Sequence, residues 1–141
     1  MALINFFTEE ISFKLLHPRK TSAWIKKVVA KEKASISEVN LIFCSDDYLL
    51  EKNIEYLNHK TYTDIITFDY TEGSGPLEGD IFISIDRIKE NAEKFSRPFD
   101  DELHRVIIHG ILHLIGYNDK TPEEKTQIRK KEDASLSLRF P

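Results

Sequence analysis

The sequence predicts a single α/β (α+β) domain, a mixed sheet of about four strands packed with about five helices. Three observations predict it. Apolar runs of strand length are interspersed with segments of helical period, and caps and breakers separate them at short intervals. The whole of residues 1–141 is the size of one ordinary domain. With 40% hydrophobic and 31% charged residues, the chain carries apolar material for one core.

Taken in order, Thr21 or Ser22 is placed to cap a helix over residues 23–29, Ala-Trp-Ile-Lys-Lys-Val-Val. After a break at residues 35–37, residues 39–44 form an apolar run of strand length. Ser45, Asp46 and Asp47 cap a second helix that ends near Leu57, Asn58 and His59. Residues 65–70 and 80–85 read as neighbouring strands, joined through the turn residues Gly73, Ser74, Gly75 and Pro76. Asp86 starts a third helix through Ile88 and Phe95, and Arg97-Pro98 breaks it. Residues 100–115 make a long helix closed by Gly116. The last helix follows Thr121, Pro122, Glu123 and Glu124: a natural cap, a proline suited to the first helical position, and acids in the first turn. Three strands are located in this way; the fourth is counted but not placed.

Composition narrows the function. No run approaches the ~20 apolar residues of a membrane helix, and the first ten residues lack a basic leader and cleavage signature, so the expectation is a cytoplasmic protein with no membrane partner. The single cysteine, Cys44, closes an apolar run and reads as core filler. A net charge of −4 argues against coating long nucleic acid by charge alone, though not against a local basic groove. The basic bursts at residues 17–20, 26–27, 31–33 and 129–131 lie on or beside predicted helices and read as solvated faces.

The chemistry lies in residues 106–119, Val-Ile-Ile-His-Gly-Ile-Leu-His-Leu-Ile-Gly-Tyr-Asn-Asp. His109 and His113, four apart on a helix, differ by about 40° in azimuth and ~6 Å in rise, so both imidazoles can point at one ion. Their neighbours are apolar nearly all round, and burying unpartnered imidazoles costs a few kcal/mol, which a shared ion removes. Gly116 lets the chain turn back, so Asp119 can supply a third ligand. Two histidines and one carboxylate with an open position form the donor set of catalytic zinc; the same set is used by Fe(II). The alternative is a pair of satisfied core histidines. His104, on another face, is not expected to be a ligand, and nothing local marks His17 or His59 as one. The zinc-protease pattern His-Glu-x-x-His is not met, because Gly110 occupies the place of its glutamate base.

This segment resembles the signature of the YbeY endoribonucleases, a family that matures bacterial ribosomal RNA and carries His-Gly-x-Leu-His-Leu-x-Gly-Tyr-Asp-His; here it reads from His109 to Asp119. Asn53-Ile54-Glu55-Tyr56, residues 63–68 (Thr-Asp-Ile-Ile-Thr-Phe) and residues 78–81 (Glu-Gly-Asp-Ile) resemble further blocks of that family, in order from about Val39 onward. The resemblance implies a zinc-dependent single-strand endoribonuclease acting in ribosomal RNA processing, with single-stranded RNA and the ribosome as partners. It also implies a substrate groove between the metal helix and residues 63–68. Two positions depart from the family. Asp119 stands where it has a third histidine, and Leu57 stands where it has an arginine after the tyrosine; His59 or Lys60 are the candidates to replace that cation. Two other readings stay open at this stage: a metallohydrolase of another small substrate, and a non-enzymatic ribosome-assembly factor with a structural metal. An open coordination position favours an enzyme, a fourth protein ligand the structural role.

Overall fold

A computed structural model describes residues 2–140, and its elements run β1 (Leu3–Glu9), α1 (Pro18–Lys31), β2 (Ile36–Cys44), α2 (Asp46–Leu57), β3 (Ile65–Asp69), β4 (Leu77–Ser84), α3 (Ile85–Lys94), α4 (Phe99–Ile115) and α5 (Pro122–Leu136). The sheet order is β1-β2-β4-β3, with β1, β2 and β4 parallel and β3 antiparallel to β4. This is the expected α+β domain with four strands and five helices among the described residues.

The local signals act as their chemistry requires. Ser45 Oγ accepts from Tyr48 N at 3.1 Å to start α2, and Asn58 ends it in the left-handed region. Thr121 and Glu124 form a complete capping box at α5. Several boundaries differ from the sequence reading, among them the start of β4, at Leu77 and not at residue 80. Helix α1 begins at Pro18, its Thr21 hydroxyl donating back to His17 O at 2.9 Å rather than capping. Strand β2 starts at Ile36, inside the expected break, where it pairs with Leu77. The N-cap of α3 is Ser84, whose Oγ accepts from Arg87 N at 3.1 Å. The unplaced fourth strand is β1, registered on β2 with Phe6 opposite Leu41.

Alternation along the strands sends the two faces of the sheet to different layers. Val39, Leu41, Phe43, Ile81 and Ile83 join the main core with residues of α1, α3 and α4. Cys44 and Ile66 face the other way and pack beneath α2 against Leu49, with Phe68 and Phe82 beside them. Cys44 is fully buried, and burial, reinforced by the charges of Asp46, Asp86, Glu9 and Glu10, pushes its thiol up to about 12, as suits core filler.

Helix α4 is the centre of the main core, with Ile107, Ile108, Ile111 and Leu112 fully buried. It lies so close to the sheet that a Cβ on Gly110 would come within 2.9 Å of both Ile65 Cδ1 and Ile81 Cγ2. Gly110 therefore faces the sheet, where a glutamate base has no room, and this is the physical reason that the protease pattern is not met. Gly110→Val is expected to destabilise the fold by about 1–3 kcal/mol through overpacking, even though it removes a glycine from a helix interior. An unchanged denaturation midpoint in urea would contradict this packing.

Candidate metal centre

Along α4 one stripe escapes full apolar burial. His109 and His113, on adjoining turns of that stripe, keep 22% and 27% of their side chains accessible. Gly116, at φ 126°, stops the helix where a side chain would be strained, and its amide donates to Leu112 O and His113 O. The loop that follows is pinned by the Tyr117 hydroxyl, which donates to Glu32 at the end of α1. Asp119 is thereby brought over the two histidines.

The three ligand atoms form a small triangle. His109 Nε2 and His113 Nε2 are 3.0 Å apart, and Asp119 Oδ2 lies 3.3 Å from the first and 3.4 Å from the second. Metal bonds of ~2.0–2.2 Å imply ligand separations of roughly 3.3–3.6 Å for a tetrahedral ion and about 3.0 Å for an octahedral one. The triangle thus fits a divalent ion, and these residues form a group that could hold one.

Behind the triangle, the buried Glu132 on α5 accepts from His109 Nδ1 at 2.6 Å and from Arg105 Nη1 at 2.9 Å. A proton on Nδ1 leaves the Nε2 lone pair free to face the triangle. Burial alone would weaken protonation of His109, but the hydrogen bond and charge of Glu132, then the charges of Asp119 and Asp64, outweigh it and raise its pKa above the usual value. Burial alone would likewise raise the Glu132 carboxyl; His109 first and then Arg105 outweigh it and hold that carboxyl below its ordinary range.

A cleft of about 610 Å³ opens onto the triangle, walled by residues of β3, by Asn53 and Leu57 of α2 and by the segment after it. Asn53 is buried and holds that segment in place: its Nδ2 donates to Thr61 O at 2.8 Å, and its main-chain carbonyl accepts from His59 N at 3.2 Å. Leu57, His59 and Lys60 are all exposed; the first two line the cleft and Lys60 does not. His104 is packed against Trp24 and Phe140, away from the triangle. His17 lies at the start of α1, against Phe140.

Two residues of the centre were not legible in the sequence. Glu132 is 23 positions from its partner His109. Asp64, at the entrance to β3, lines the cleft beside the ligands, and burial raises its carboxyl above the usual range against the opposing charge of His109. Its place in the Thr63–Phe68 block was the one available signal.

Comparison with known proteins shows which family the chain resembles. Residues 5–138 match the family model described as endoribonuclease YbeY. A Cytophaga hutchinsonii protein named endoribonuclease YbeY is 55% identical over 96% of this chain and 95% of its own length. A Phocaeicola vulgatus protein of the same name is 49% identical over 96% and 98%. A solved Thermotoga maritima structure is 29% identical, covers 96% of this chain and 87% of its own, and superposes with a TM-score of 0.69.

His109→Ala and His113→Ala are each expected to abolish stoichiometric metal binding and to lower the melting temperature of metal-loaded protein, while His104→Ala keeps its metal. Metal analysis with thermal melts checks this, and unchanged values in both variants would return the pair to core histidines. The pH dependence has a definite sign. Without metal, the His109–Glu132 pair contributes stability that is lost as pH rises through the raised imidazole pKa, above ~6.5, and lost at the other end as pH falls through the lowered Glu132 pKa, below ~4.5. Metal and proton compete for Nε2, so metal affinity falls as pH drops through that raised value. Glu132→Gln is expected to weaken affinity at pH 8 by roughly 10–100-fold and to move the midpoint of the pH dependence downward. Chelator-competition titrations across pH read both effects.

Proposed function

The chain belongs to the endoribonuclease YbeY family, and we propose that it is a metal-dependent endoribonuclease that hydrolyses single-stranded RNA in the processing of ribosomal RNA and the maturation of ribosomes in the cytoplasm. The observation that carries this reading is the triangle of His109, His113 and Asp119 at the wall of an open cleft: three protein ligands with a side open to substrate. Zinc is the ion of this reading, since two imidazoles, one carboxylate and an open position are the donor set of catalytic zinc. When bound, it would polarise a phosphoryl oxygen and lower the pKa of water at the open position.

The protein's own groups do the rest. Glu132 holds His109 in the tautomer that presents Nε2. Asp119 adds a negative charge where a neutral ligand would leave the ion more strongly acidic. Asp64 faces the same space, has no ion-pair partner among the described residues, and is the group we assign to hold a proton during the reaction. Asn53 keeps the segment carrying His59 against the cleft, and we assign His59, which lines the cleft, rather than Lys60, to meet a phosphate there. Leu57 contributes no charge. No helix of the described residues is long and apolar enough to cross a membrane, which suits a ribosomal substrate.

Metal-replete protein is expected to cut single-stranded RNA and spare duplex, because a cleft beside a packed helix admits a flexible strand more readily than a rigid A-form helix. Chelator should abolish cleavage and added zinc restore it. Leu57→Arg should speed turnover by supplying a cation to the cleft. Failure of folded, metal-replete protein to cut single-stranded RNA at low salt, or cleavage undiminished in His113→Ala, would overturn the reading.

A further inference from the structure

An enzyme that cuts within a strand must let RNA leave the reacting phosphate in both directions. Two clefts meet at the ligands: the second, of about 380 Å³, shares Asp64, His109 and Asp119 with the first and runs between α3, α4 and α5. The two differ in charge. Among the described residues, the first cleft is lined by no lysine or arginine, whereas the second is lined by Arg97, Arg105, Lys125 and Arg129.

Two of these cations are already engaged. Arg105 pairs with Glu132 at 2.9 Å and Asp133 at 2.7 Å, and Arg97 with the buried Glu102 at 3.2 Å. Lys125 and Arg129 are exposed, four residues apart on one side of α5, and neither has an ion-pair partner within 4.0 Å among the described residues. The acids of this cleft are committed: Glu102 and Glu132 to arginines, Asp119 to the metal triangle. Only Asp64 is uncommitted, and it lies at the ligand end of the cleft, beside His109 and Asp119. Like charges four apart on a helix repel one another, and an anion between them relieves that repulsion. At the same cleft Phe95 is 51% exposed, and the Arg97 guanidinium sits 5.4 Å from its ring centroid. An exposed ring in the same cleft as unpaired cations offers both a stacking face for a base and charge for the backbone.

Resting on the endoribonuclease reading, we propose that Lys125 and Arg129 form a phosphate subsite, with Phe95 as its stacking wall, for the stretch of RNA on the α5 side of the scissile bond. Arg129 therefore belongs to a binding surface and not to a merely solvated face, and α5 supplies cationic contacts that Leu57 does not supply on the α2 side.

The test compares steady-state cleavage of a single-stranded RNA oligonucleotide by metal-loaded wild type, Lys125→Gln/Arg129→Gln, and a control carrying Lys26→Gln/Lys27→Gln on the exposed side of α1. Removing two phosphate contacts to a single strand should raise KM on the order of tenfold near ~0.1 M salt and make the dependence of log(1/KM) on log[salt] shallower by roughly 1.4. Metal content and kcat should stay within about twofold, and the α1 control should match wild type. Each single variant should take about half of the slope change, which keeps the test decisive if the double variant folds poorly. An active wild type whose KM and salt slope are unaltered by these substitutions overturns the subsite. A loss confined to kcat does the same. A folded, metal-loaded wild type that cuts no RNA removes instead the endoribonuclease reading on which the subsite rests.

Discussion

Helix α4 is enclosed by the sheet and by α1, α3 and α5, and most of its polar side chains lie along one stripe. Glu102, Arg105, His109 and His113 occupy that stripe at intervals of three, four and four residues, the spacing of one helical face. Polar groups so deep in a small domain persist only if each finds a partner, because an unpaired one costs several times what a hydrogen bond contributes. The rest of the molecule meets this demand. Arg97 comes from the α3–α4 connection to Glu102, α5 brings Glu132 to both Arg105 and His109, and the loop after Gly116 brings Asp119 to both histidines.

The chain Arg105–Glu132–His109 does two kinds of work at once. As a buried charge network it fixes how α5 lies on α4, since moving either helix would strand a carboxylate away from water. As a proton-placing device it assigns the hydrogen of His109 to Nδ1 and frees Nε2 for a cation. Stability and chemistry thus draw on the same contacts. The Trp24 indole, donating to Ser135 O at 2.8 Å, reinforces the placement by tying α1 to the far end of α5.

Gly110 makes the other half of the geometry possible. Its missing side chain lets α4 settle onto Ile65 and Ile81, which brings the histidine stripe to the edge of the antiparallel strand β3. The first cleft is the space between that stripe, β3 and the segment held by Asn53. The second continues along the same stripe toward the start of α4, over Glu102, Arg105 and His109, between α3 and α5. A strand passing from one cleft to the other would meet the ligands midway, with no lysine or arginine among the described residues of the first cleft and the unpaired Lys125 and Arg129 in the second.

Local chemistry was legible in the sequence where the interacting groups are neighbours in the chain. Ser45, the Thr121–Glu124 box and Gly116 bound the helices where their hydrogen-bonding chemistry says they should. His109 and His113 share a face because helical period requires it, and Asp119 is close enough in sequence to return to them. What sequence left open was set between distant elements. Strand β1 lacks a clear alternation because it is an edge strand with Leu3 and Phe7 exposed, so only its pairing with β2 defines it. Glu132 looks like any charge in a polar helix until α5 packs on α4, and Asp64 like any turn residue until β3 comes beside the histidines. Sequence therefore determined which residues could hold an ion. Tertiary structure decided which carboxylate orients them and where a substrate has room, because those depend on contacts between elements that no local periodicity encodes.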